Sequence, residues 1–267
     1  MDNTTREEFV RKYFNSYSEN SKDRLSMVLS TCDESPFLYR YRPMKEIYDF
    51  KALEENYFWQ QTLDFQNDED EGLLDLTYDL IKHSSSRIFK KICNVSYIEA
   101  INKIKKINME MREELKKLRK PYGIVCFSEL SNSDKMWVEY ANDYQGICIE
   151  YSKEKLINNQ FHLIPVLYKK IKYINDYYKI EENHDGEIVI NIIDEQAEKV
   201  FLTKTMKWDY EREWRHIDKI EIGNCIPSVI PEKIYIGYNC PPENKAKIID
   251  YCDKNNIEIV IQNRSKI

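Results

Sequence analysis

The sequence predicts a single α+β domain over residues 1–267 with an α-helical insertion, and three patterns carry this prediction. The pattern Thr4-x-x-Glu7 is typical of a helix N-terminus and precedes an apolar helical face, which predicts a helix over residues 4–18. An apolar seven-residue pattern predicts that the insertion, about residues 72–120, is a pair of helices. After the insertion, short apolar runs separated by turn residues predict strands.

The other elements are predicted from local patterns in chain order. Before the insertion, aromatic and arginine residues bounded by two prolines predict a strand near 37–42, followed by a helix at 46–56 and a strand at 57–61. After the insertion, the predicted strands are 122–128, 146–151, 163–168, 233–237 and 257–262, and the predicted helices are 134–142, 192–206 and 244–254. The segment WDYEREWR, residues 208–215, is expected to begin a further strand in its second half.

The composition excludes several classes of protein. Hydrophobic residues make up 42% and charged residues 32%, which is typical of a folded chain, and the net charge of -6 argues against a protein that coats nucleic acid. Neither GxGxxG nor GxxxxGK[ST] occurs, which removes the usual dinucleotide and P-loop sites. The histidines and cysteines lack metal-ligand spacing, so we expect no zinc. Without an export signal or an apolar run of membrane length, we expect a cytoplasmic protein with no membrane partner.

The first segment that could carry chemistry is Tyr39-Arg40-Tyr41-Arg42. Arg40 and Arg42 occupy alternate positions of the predicted strand, so their side chains are expected to point to the same face. Their planar guanidinium groups suit bidentate contact with a diphosphate. The alternative is that they form ion pairs with carboxylates at a sheet edge.

Two later segments could supply the other side of a cleft. In CFSE, residues 126–129, an apolar strand ends in the hydroxyl of Ser128 and a carboxylate, as at a cleft edge or at any strand that exits to solvent. In residues 208–215, Glu211 and Glu213 are two apart, so an extended chain would place both carboxylates on one side. Such a pair beside apolar rings can stabilise a developing cation, and the alternative is a salt-bridged edge strand with a core tryptophan.

From about Phe37 to the C-terminus, the chain resembles a bacterial family known only as a domain of unknown function. The motifs that carry the resemblance are LYRYR, CFSE, MWVEYANDYQGICIEY, WDYEREWR and PEKIYIG. Their order, with a basic first strand, a serine or aromatic residue on a second strand and a late glutamate, also resembles the ADP-ribosyltransferase superfamily. That resemblance implies an ADP-ribosyltransferase-like split β-sandwich around a nicotinamide cleft, with the α-helical insertion added.

The same resemblance implies that NAD is a substrate of this protein. The residues that would bind NAD are Tyr39, Arg40, Arg42, Phe127, Ser128 and Tyr140. Arg40, together with Tyr39, would hold the pyrophosphate or ribose, and Phe127 and Ser128 would shape the nicotinamide pocket. Tyr140 would be a stacking surface, although its place on an aromatic helical face is also typical of a core residue.

The catalytic roles implied by the resemblance fall on the two glutamates of WDYEREWR. Glu213 would bind the hydroxyls of the nicotinamide ribose, and Glu211 would complete a Glu-x-Glu pair. A carboxylate at this position stabilises the positive charge that develops on the ribose when its bond to nicotinamide breaks. This hypothesis requires Arg40 and Glu213 to line opposite walls of one pocket.

The leading hypothesis is an NAD-dependent ADP-ribosyltransferase that modifies a macromolecule, which is RNA, DNA or protein. Because some members of the superfamily are toxins of toxin–antitoxin or phage-defence systems, the resemblance also implies such a role and an antitoxin partner. Two alternatives stay open. One is a non-catalytic sensor that binds a nucleotide or a nucleic-acid end in the same cleft, and the other is a nuclease or nucleotide hydrolase that uses the carboxylates with Mg²⁺.

Overall fold

The structure, a computed structural model, describes residues 1–15, 21–62, 120–169, 178–182, 188–192, 201–219 and 225–263, together with residues 99, 102, 105, 106, 109, 110, 113, 117 and 184. The chain divides into two compact units. Unit 1 comprises Met1–Gln60, Ile124–Val166 and Asp209–Ile267, and unit 2 comprises Gln61–Gly123 and Leu167–Trp208. Several helices and a mixed sheet confirm the predicted α+β class, whereas the single domain stays a prediction.

In most places, the order of helices and strands along the chain is the one that the local patterns predicted. The helices of the described ranges are α1 (Asn3–Asn15), α2 (Ser21–Ser30), α3 (Ile47–Glu54), α4 (Asp134–Tyr140), α5 (Lys153–Asn158) and α6 (Pro242–Asn255), with a 3-10 helix at Met206–Glu211. The strands are β1 (Phe37–Arg42), β2 (Tyr57–Trp59), β3 (Gln61–Thr62), β4 (Tyr122–Ser128), β5 (Ile147–Ser152), β6 (Leu163–Pro165), β7 (Leu167–Lys169), β8 (Tyr178–Glu182), β9 (Ile188–Ile192), β10 (Thr203–Thr205), β11 (Glu213–Lys219), β12 (Cys225–Pro227), β13 (Lys233–Ile236) and β14 (Glu258–Ile261). Most of the predicted helical insertion lies outside the described residues, and the described residues between 99 and 117 are helical.

Helix α1 confirms the predicted N-terminal helix up to Asn15, and residues 16–18 of that prediction lie outside the described ranges. Its first turn is capped by Asp2, whose carboxylate accepts the N–H of Thr5 at 2.8 Å, rather than by Thr4 as predicted. Its buried residues are Arg6, Phe9, Val10, Tyr13 and Phe14. Burial of four apolar side chains on one face is what holds this short helix on the sheet.

Eight strands form the main sheet. Seven of them follow the order β14, β13, β5, β1, β4, β11 and β6, and β3 pairs with β4 beside this path. Strands β13 and β14 run parallel, whereas β5–β13, β1–β5, β1–β4 and β6–β11 are antiparallel pairs. Strand β1 is therefore an inner strand, at the middle of the seven-strand order.

The register of β1 assigns the predicted site residues to two faces of this sheet. Tyr39 lies opposite Ser128 of β4 and Glu150 of β5, so these three side chains share one face, which we call the tyrosine face. Arg40 and Arg42 alternate with Tyr39 along the strand and lie on the other face, which we call the arginine face.

Different elements cover the two faces. On the tyrosine face, the ring of Trp137 in α4 meets the ring of Tyr41 edge to face, with centroids 5.4 Å apart. On the arginine face, Phe58 of β2 meets Phe127 of β4 in the same way at 5.5 Å. Strand β2 pairs with β12 in a separate antiparallel ribbon, which carries Phe58 over the sheet.

Unit 2 contains the parallel pair β7–β10 and the antiparallel pair β8–β9. The prediction of a helix over 192–206 is wrong in its described part, because Ile192 ends β9, Thr203–Thr205 form β10 and Met206 begins the 3-10 helix. The β-branched residues Thr203 and Thr205 favour a strand, and β7 supplies the hydrogen-bonding partner that no local pattern reveals.

Candidate functional site

Two of the three predicted segments meet at the edge of the tyrosine face. The hydroxyl of Ser128, at the end of β4, donates a hydrogen bond of 2.7 Å to the backbone carbonyl of Glu211 and accepts the N–H of Leu130 at 3.1 Å. The phenol of Tyr140, in the last turn of α4, donates to the carboxylate oxygen Oε1 of Glu211. Ser128, Tyr140 and Glu211 are therefore neighbours.

Glu211 does not lie in an extended segment, and the prediction that Glu211 and Glu213 point to one side of an extended chain is wrong. Glu211 ends the 3-10 helix, and Arg212 follows with a φ angle of 46°, in the left-handed region. Because of this turn, the side chain of Glu211 does not follow the alternation of side chains along β11. The Glu211 side chain is buried at 3% exposure and turns towards α4.

Two aromatic rings and a second carboxylate extend the tyrosine face beyond Ser128. The phenol of Tyr235, on β13, donates to Oε2 of Glu150 at 2.8 Å, and the ring centroids of Tyr39 and Tyr235 are 6.3 Å apart. Burial, and next the carboxylate of Glu150, raise the pKa of Tyr39 to about 12, and burial with the bond to Glu150 raises the pKa of Tyr235 also. Both phenols therefore stay protonated at neutral pH and act as donors.

A lysine lies at the outer end of the same face. The ammonium of Lys135, at the start of α4, is 3.6 Å from the ring centroid of Tyr210, and the phenol of Tyr210 donates to the carboxylate of Glu139. Tyr140 and Tyr210 both pack against the buried cluster around Trp137. The tyrosine face and the elements that cover it thus carry aromatic rings, carboxylates and one ammonium group.

Glu213 has a different environment from Glu211. Its carboxylate accepts two hydrogen bonds from Arg215, at 2.8 Å from Nε to Oε1 and 3.0 Å from Nη2 to Oε2, and both side chains are buried. Trp214, between them in sequence, projects from the opposite side of β11 and packs on Phe9 of α1. The ion pair and the core tryptophan agree with the alternative of a salt-bridged edge strand, but β11 lies between β4 and β6 and is not an edge strand.

The glutamate of CFSE, Glu129, is also an anchor between elements, and its side chain is 9% exposed. Oε1 of Glu129 accepts the indole N–H of Trp214 at 2.7 Å and forms an ion pair of 2.8 Å with Arg6. Burial raises the pKa of this carboxyl, but the charge of Arg6 and the hydrogen bond from Trp214 outweigh it and hold the pKa below its ordinary value. Glu129 therefore joins β4, β11 and α1.

The arginines of the first segment lie on the arginine face, together with Phe127. Arg42 forms an ion pair of 2.6 Å with Asp49, as in the alternative of an arginine–carboxylate pair, although β1 is an inner strand and not a sheet edge. Oδ2 of the same carboxylate accepts the N–H groups of Lys45 and Glu46 at the start of α3. Arg42 thus ties β1 to α3.

Arg40 and Glu213 do not line one pocket. Arg40 lies over the ring of Phe58, whose neighbour Phe161 contacts His216 of β11. Glu213 is an odd-numbered position of β11 and projects away from the face that His216 occupies. Successive side chains of a strand point to opposite faces of the sheet. Tyr39 and Arg40 therefore lie on different faces, and so do Ser128 and Phe127.

Sequence reasoning missed the contributions of Glu150 and Tyr235. Both residues stand in quoted motifs, GICIEY and PEKIYIG, but the motifs alone do not show that the two strands are neighbours. The register, in which Tyr235 and Glu150 lie on one face of adjacent strands, supplies that information. Side chains alternate between the two faces along each strand. If the pairing of β5 with β13 had been known, this alternation would have placed Glu150 and Tyr235 on one face.

Two features are absent from the described residues. No group of three or more histidine, cysteine, aspartate or glutamate side chains there is arranged to hold a metal ion. No helix in the same part of the chain is long and apolar enough to cross a membrane.

Comparisons with known proteins give one match. Neither the curated proteins nor the solved structures contain a match to this chain. Residues 136–216, which run from α4 to the middle of β11 and include Tyr140, Glu211 and Glu213, match the model of a family described as "Protein of unknown function (DUF2971)", and this confirms the predicted similarity to a domain of unknown function.

Proposed function

We propose that this protein is an NAD-dependent ADP-ribosyltransferase whose reaction takes place on the tyrosine face, with Glu211 as the catalytic carboxylate. The observation that supports the proposal most is the convergence of Ser128, Tyr140 and Glu211, which come from separate segments of the chain. The proposal includes an ADP-ribosyltransferase-like split β-sandwich with an α-helical insertion and a cytoplasmic location.

The chemistry of the face suits the nicotinamide half of NAD. Nicotinamide in NAD⁺ is a planar cation, and such a group is attracted to the faces of tyrosine rings and to nearby carboxylates. Tyr39 and Tyr235 supply the rings, and Glu150 supplies a carboxylate between them. The buried carboxylate of Glu211 lies at the edge of this layer, where it can meet the ribose.

In the reaction, the bond between the ribose C1′ and the nicotinamide nitrogen breaks, and its electron pair leaves with nicotinamide. An oxygen or nitrogen atom of the acceptor forms the new bond to C1′ and loses a proton to a base. Glu211 would stabilise the positive charge on the ribose and accept that proton. Removal of one preorganised group of this kind typically costs about 10²–10³ in turnover, or roughly 3–4 kcal/mol.

The pyrophosphate of NAD needs a cation on the same face. Arg40 and Arg42 do not meet this requirement, because they lie on the arginine face. Lys135 does, since its ammonium group lies over Tyr210 beside Tyr140. We therefore assign the role that the resemblance gave to Arg40 to Lys135.

The decisive experiment measures release of nicotinamide from NAD and transfer of label from NAD to macromolecules of a bacterial lysate. We expect both with the wild type, and a fall of about 100-fold or more with Glu211→Gln. Glu154→Gln, an exposed glutamate on α5, is the matched control and should keep full activity. Absence of nicotinamide release in the wild type, with labelled RNA, DNA and protein all at background, would refute the proposal. Labelled product would identify the acceptor class and test the role as a toxin or defence effector with an antitoxin.

A second candidate, a nucleotide sensor without turnover, is favoured by one observation. The carboxylates of Glu211 and Glu150 already accept hydrogen bonds from Tyr140 and Tyr235, an arrangement that serves binding as well as catalysis. The sensor predicts that NAD raises the Tm without release of nicotinamide, and that Glu211→Gln keeps this shift.

A further inference from the structure

A small pocket lies on the arginine face, between β1 and β5 on one side and α3 and β2 on the other. Its space for a water-sized group measures about 20 Å³, which is room for about one water molecule or one oxygen of a larger anion. Arg40 and Arg42 line it from β1, and Tyr57 and Phe58 line it from β2. All of these elements belong to unit 1.

Arg40 has no carboxylate partner within ion-pair distance among the residues that the structure describes. Its Cζ atom lies 4.9 Å from the ring centroid of Phe58, and Nη2 makes one long hydrogen bond of 3.4 Å to the backbone carbonyl of Trp59. Burial, and next the charge of Arg42, lower the pKa of Arg40 to about 10. A guanidinium group carries five N–H donors, and that of Arg40 lines the pocket with no carboxylate at ion-pair distance among the described residues.

The neighbouring charges leave the pocket with net positive charge. Asp49 also lines it, but Oδ1 of Asp49 binds Arg42 at 2.6 Å and Oδ2 accepts the N–H groups of Lys45 and Glu46. The negative charge of Asp49 is thus compensated within the α3 junction. Arg40 is the cation that remains, and a partly buried cation of this kind is costly unless an anion accompanies it.

We propose that this pocket is a second binding site, which takes a phosphoryl group through the guanidinium of Arg40. The fork of an arginine matches the oxygens of a phosphoryl group, with one oxygen in the enclosed space and the others at the mouth. Trp59 is 47% exposed at the same edge of the pocket, which suits a nucleoside monophosphate whose base lies outside. The site is independent of the tyrosine face, because the two lie on opposite sides of the sheet.

The test is thermal unfolding of the full chain in inorganic phosphate, with the ionic strength held constant by sodium chloride. For the wild type we expect the Tm to rise with the logarithm of phosphate concentration, by roughly 5–10 °C at a 100-fold excess over Kd. A nucleoside 5′-monophosphate should produce the same shift at a lower concentration and change the fluorescence of Trp59.

Two variants separate binding from a structural role of the arginine. Arg40→Met should lose the phosphate-dependent shift and melt no lower than the wild type without phosphate, since methionine removes the charge and keeps the apolar contact with Phe58. Arg40→Lys keeps the charge without the fork and should show a smaller shift. Lys45→Met, an exposed lysine nearby, is the matched control for loss of one charge and should keep the full shift.

Three results would overturn the proposal. They are an equal phosphate shift in the wild type and Arg40→Met, no shift in the wild type beyond that of chloride, and a Tm for Arg40→Met several degrees below the wild type without phosphate. Tyr140→Phe provides a separate check, because it alters the tyrosine face and should leave the phosphate shift unchanged. Failure of NAD turnover therefore does not bear on this site, nor does failure of phosphate binding bear on the transferase.

Discussion

Glu213→Gln is expected to destabilise the protein by an amount that follows from one buried ion pair. Glu213 is 4% exposed and Arg215 is fully buried, and two hydrogen bonds of 2.8 and 3.0 Å join them. Loss of one charge from such a pair costs roughly 3–5 kcal/mol, because the remaining charge stays buried. Glutamine keeps one acceptor oxygen, so we expect the lower end, about 3 kcal/mol. For a chain of this size, that corresponds to a fall in Tm of roughly 6–12 °C.

The assay compares Tm and urea midpoints of three variants with the wild type. Glu211→Gln is the matched control, since it changes another buried glutamate, whose carboxylate accepts a hydrogen bond from the phenol of Tyr140. It should cost about 1 kcal/mol. The double variant Glu213→Gln/Arg215→Gln removes both charges and should be more stable than Glu213→Gln alone by about 1 kcal/mol or more.

This reasoning is refuted if Glu213→Gln melts within about 2 °C of the wild type. If that variant also loses release of nicotinamide, while Glu211→Gln keeps it, the catalytic role belongs to Glu213 as the family resemblance implies. Equal stability of the single and double variants would show that the pair does not act as a unit.

Three further results follow from the described contacts. The Nδ1 atom of His216 accepts the backbone N–H of His162 at 3.0 Å, and burial, followed by the charge of His162, lowers the pKa of His216 to about 4. The folded state therefore binds this proton less readily than the unfolded state, so stability is fully present above pH 6.5 and falls by roughly 3 kcal/mol as the pH falls to 4. His216→Asn, which keeps an acceptor but does not titrate, should flatten this part of a urea-midpoint profile. Asp49→Ala should cost about 2–3 kcal/mol in urea unfolding, because it removes the ion pair to Arg42 and the bonds at the start of α3. Tyr140→Phe should lower the rate of nicotinamide release by about 10-fold and change the unfolding free energy by about 1 kcal/mol.

Local sequence patterns were sufficient to predict those helices and strands whose bounds are set by their own residues. Strand β13, helix α6 and strand β14 follow the predicted strand, helix and strand near the C-terminus. Helix α6 begins with Pro242 after Pro241 and ends at Asn256 with a left-handed φ of 54°, and both features are typical helix boundaries. The alternation that placed Arg40 and Arg42 on the same face of β1 is of the same kind.

The relative positions of the predicted site residues depend on pairing between strands that are distant in sequence, which local patterns do not reveal. The motifs LYRYR and CFSE were each recognised, but their joint geometry depends on the register in which Tyr39 lies opposite Ser128. A shift of this register by one residue would have placed Arg40 beside Ser128. Likewise, the Glu-x-Glu spacing predicts a shared side only for an extended chain, and the left-handed turn at Arg212 removes that condition.

Arg40 and the residues around Glu211 lie on opposite faces of the main sheet, and this limits how one ligand could contact both. Strand β1 pairs with β5 over six residues, whereas its pairing with β4 joins Tyr39 to Ser128 at the end of β4. A ligand that contacts both Arg40 and Glu211 would have to pass around the strand ends or an edge of the sheet. We therefore expect that one NAD molecule does not use the first-strand arginine and the late glutamate together in the way the resemblance implies. Either Lys135 replaces the arginine in a transferase of the tyrosine face, or the two faces bind different molecules and the arginine never served NAD. Measurement of NAD turnover in Arg40→Met and Lys135→Met separates these cases, because only the variant whose cation contacts the pyrophosphate should raise the KM.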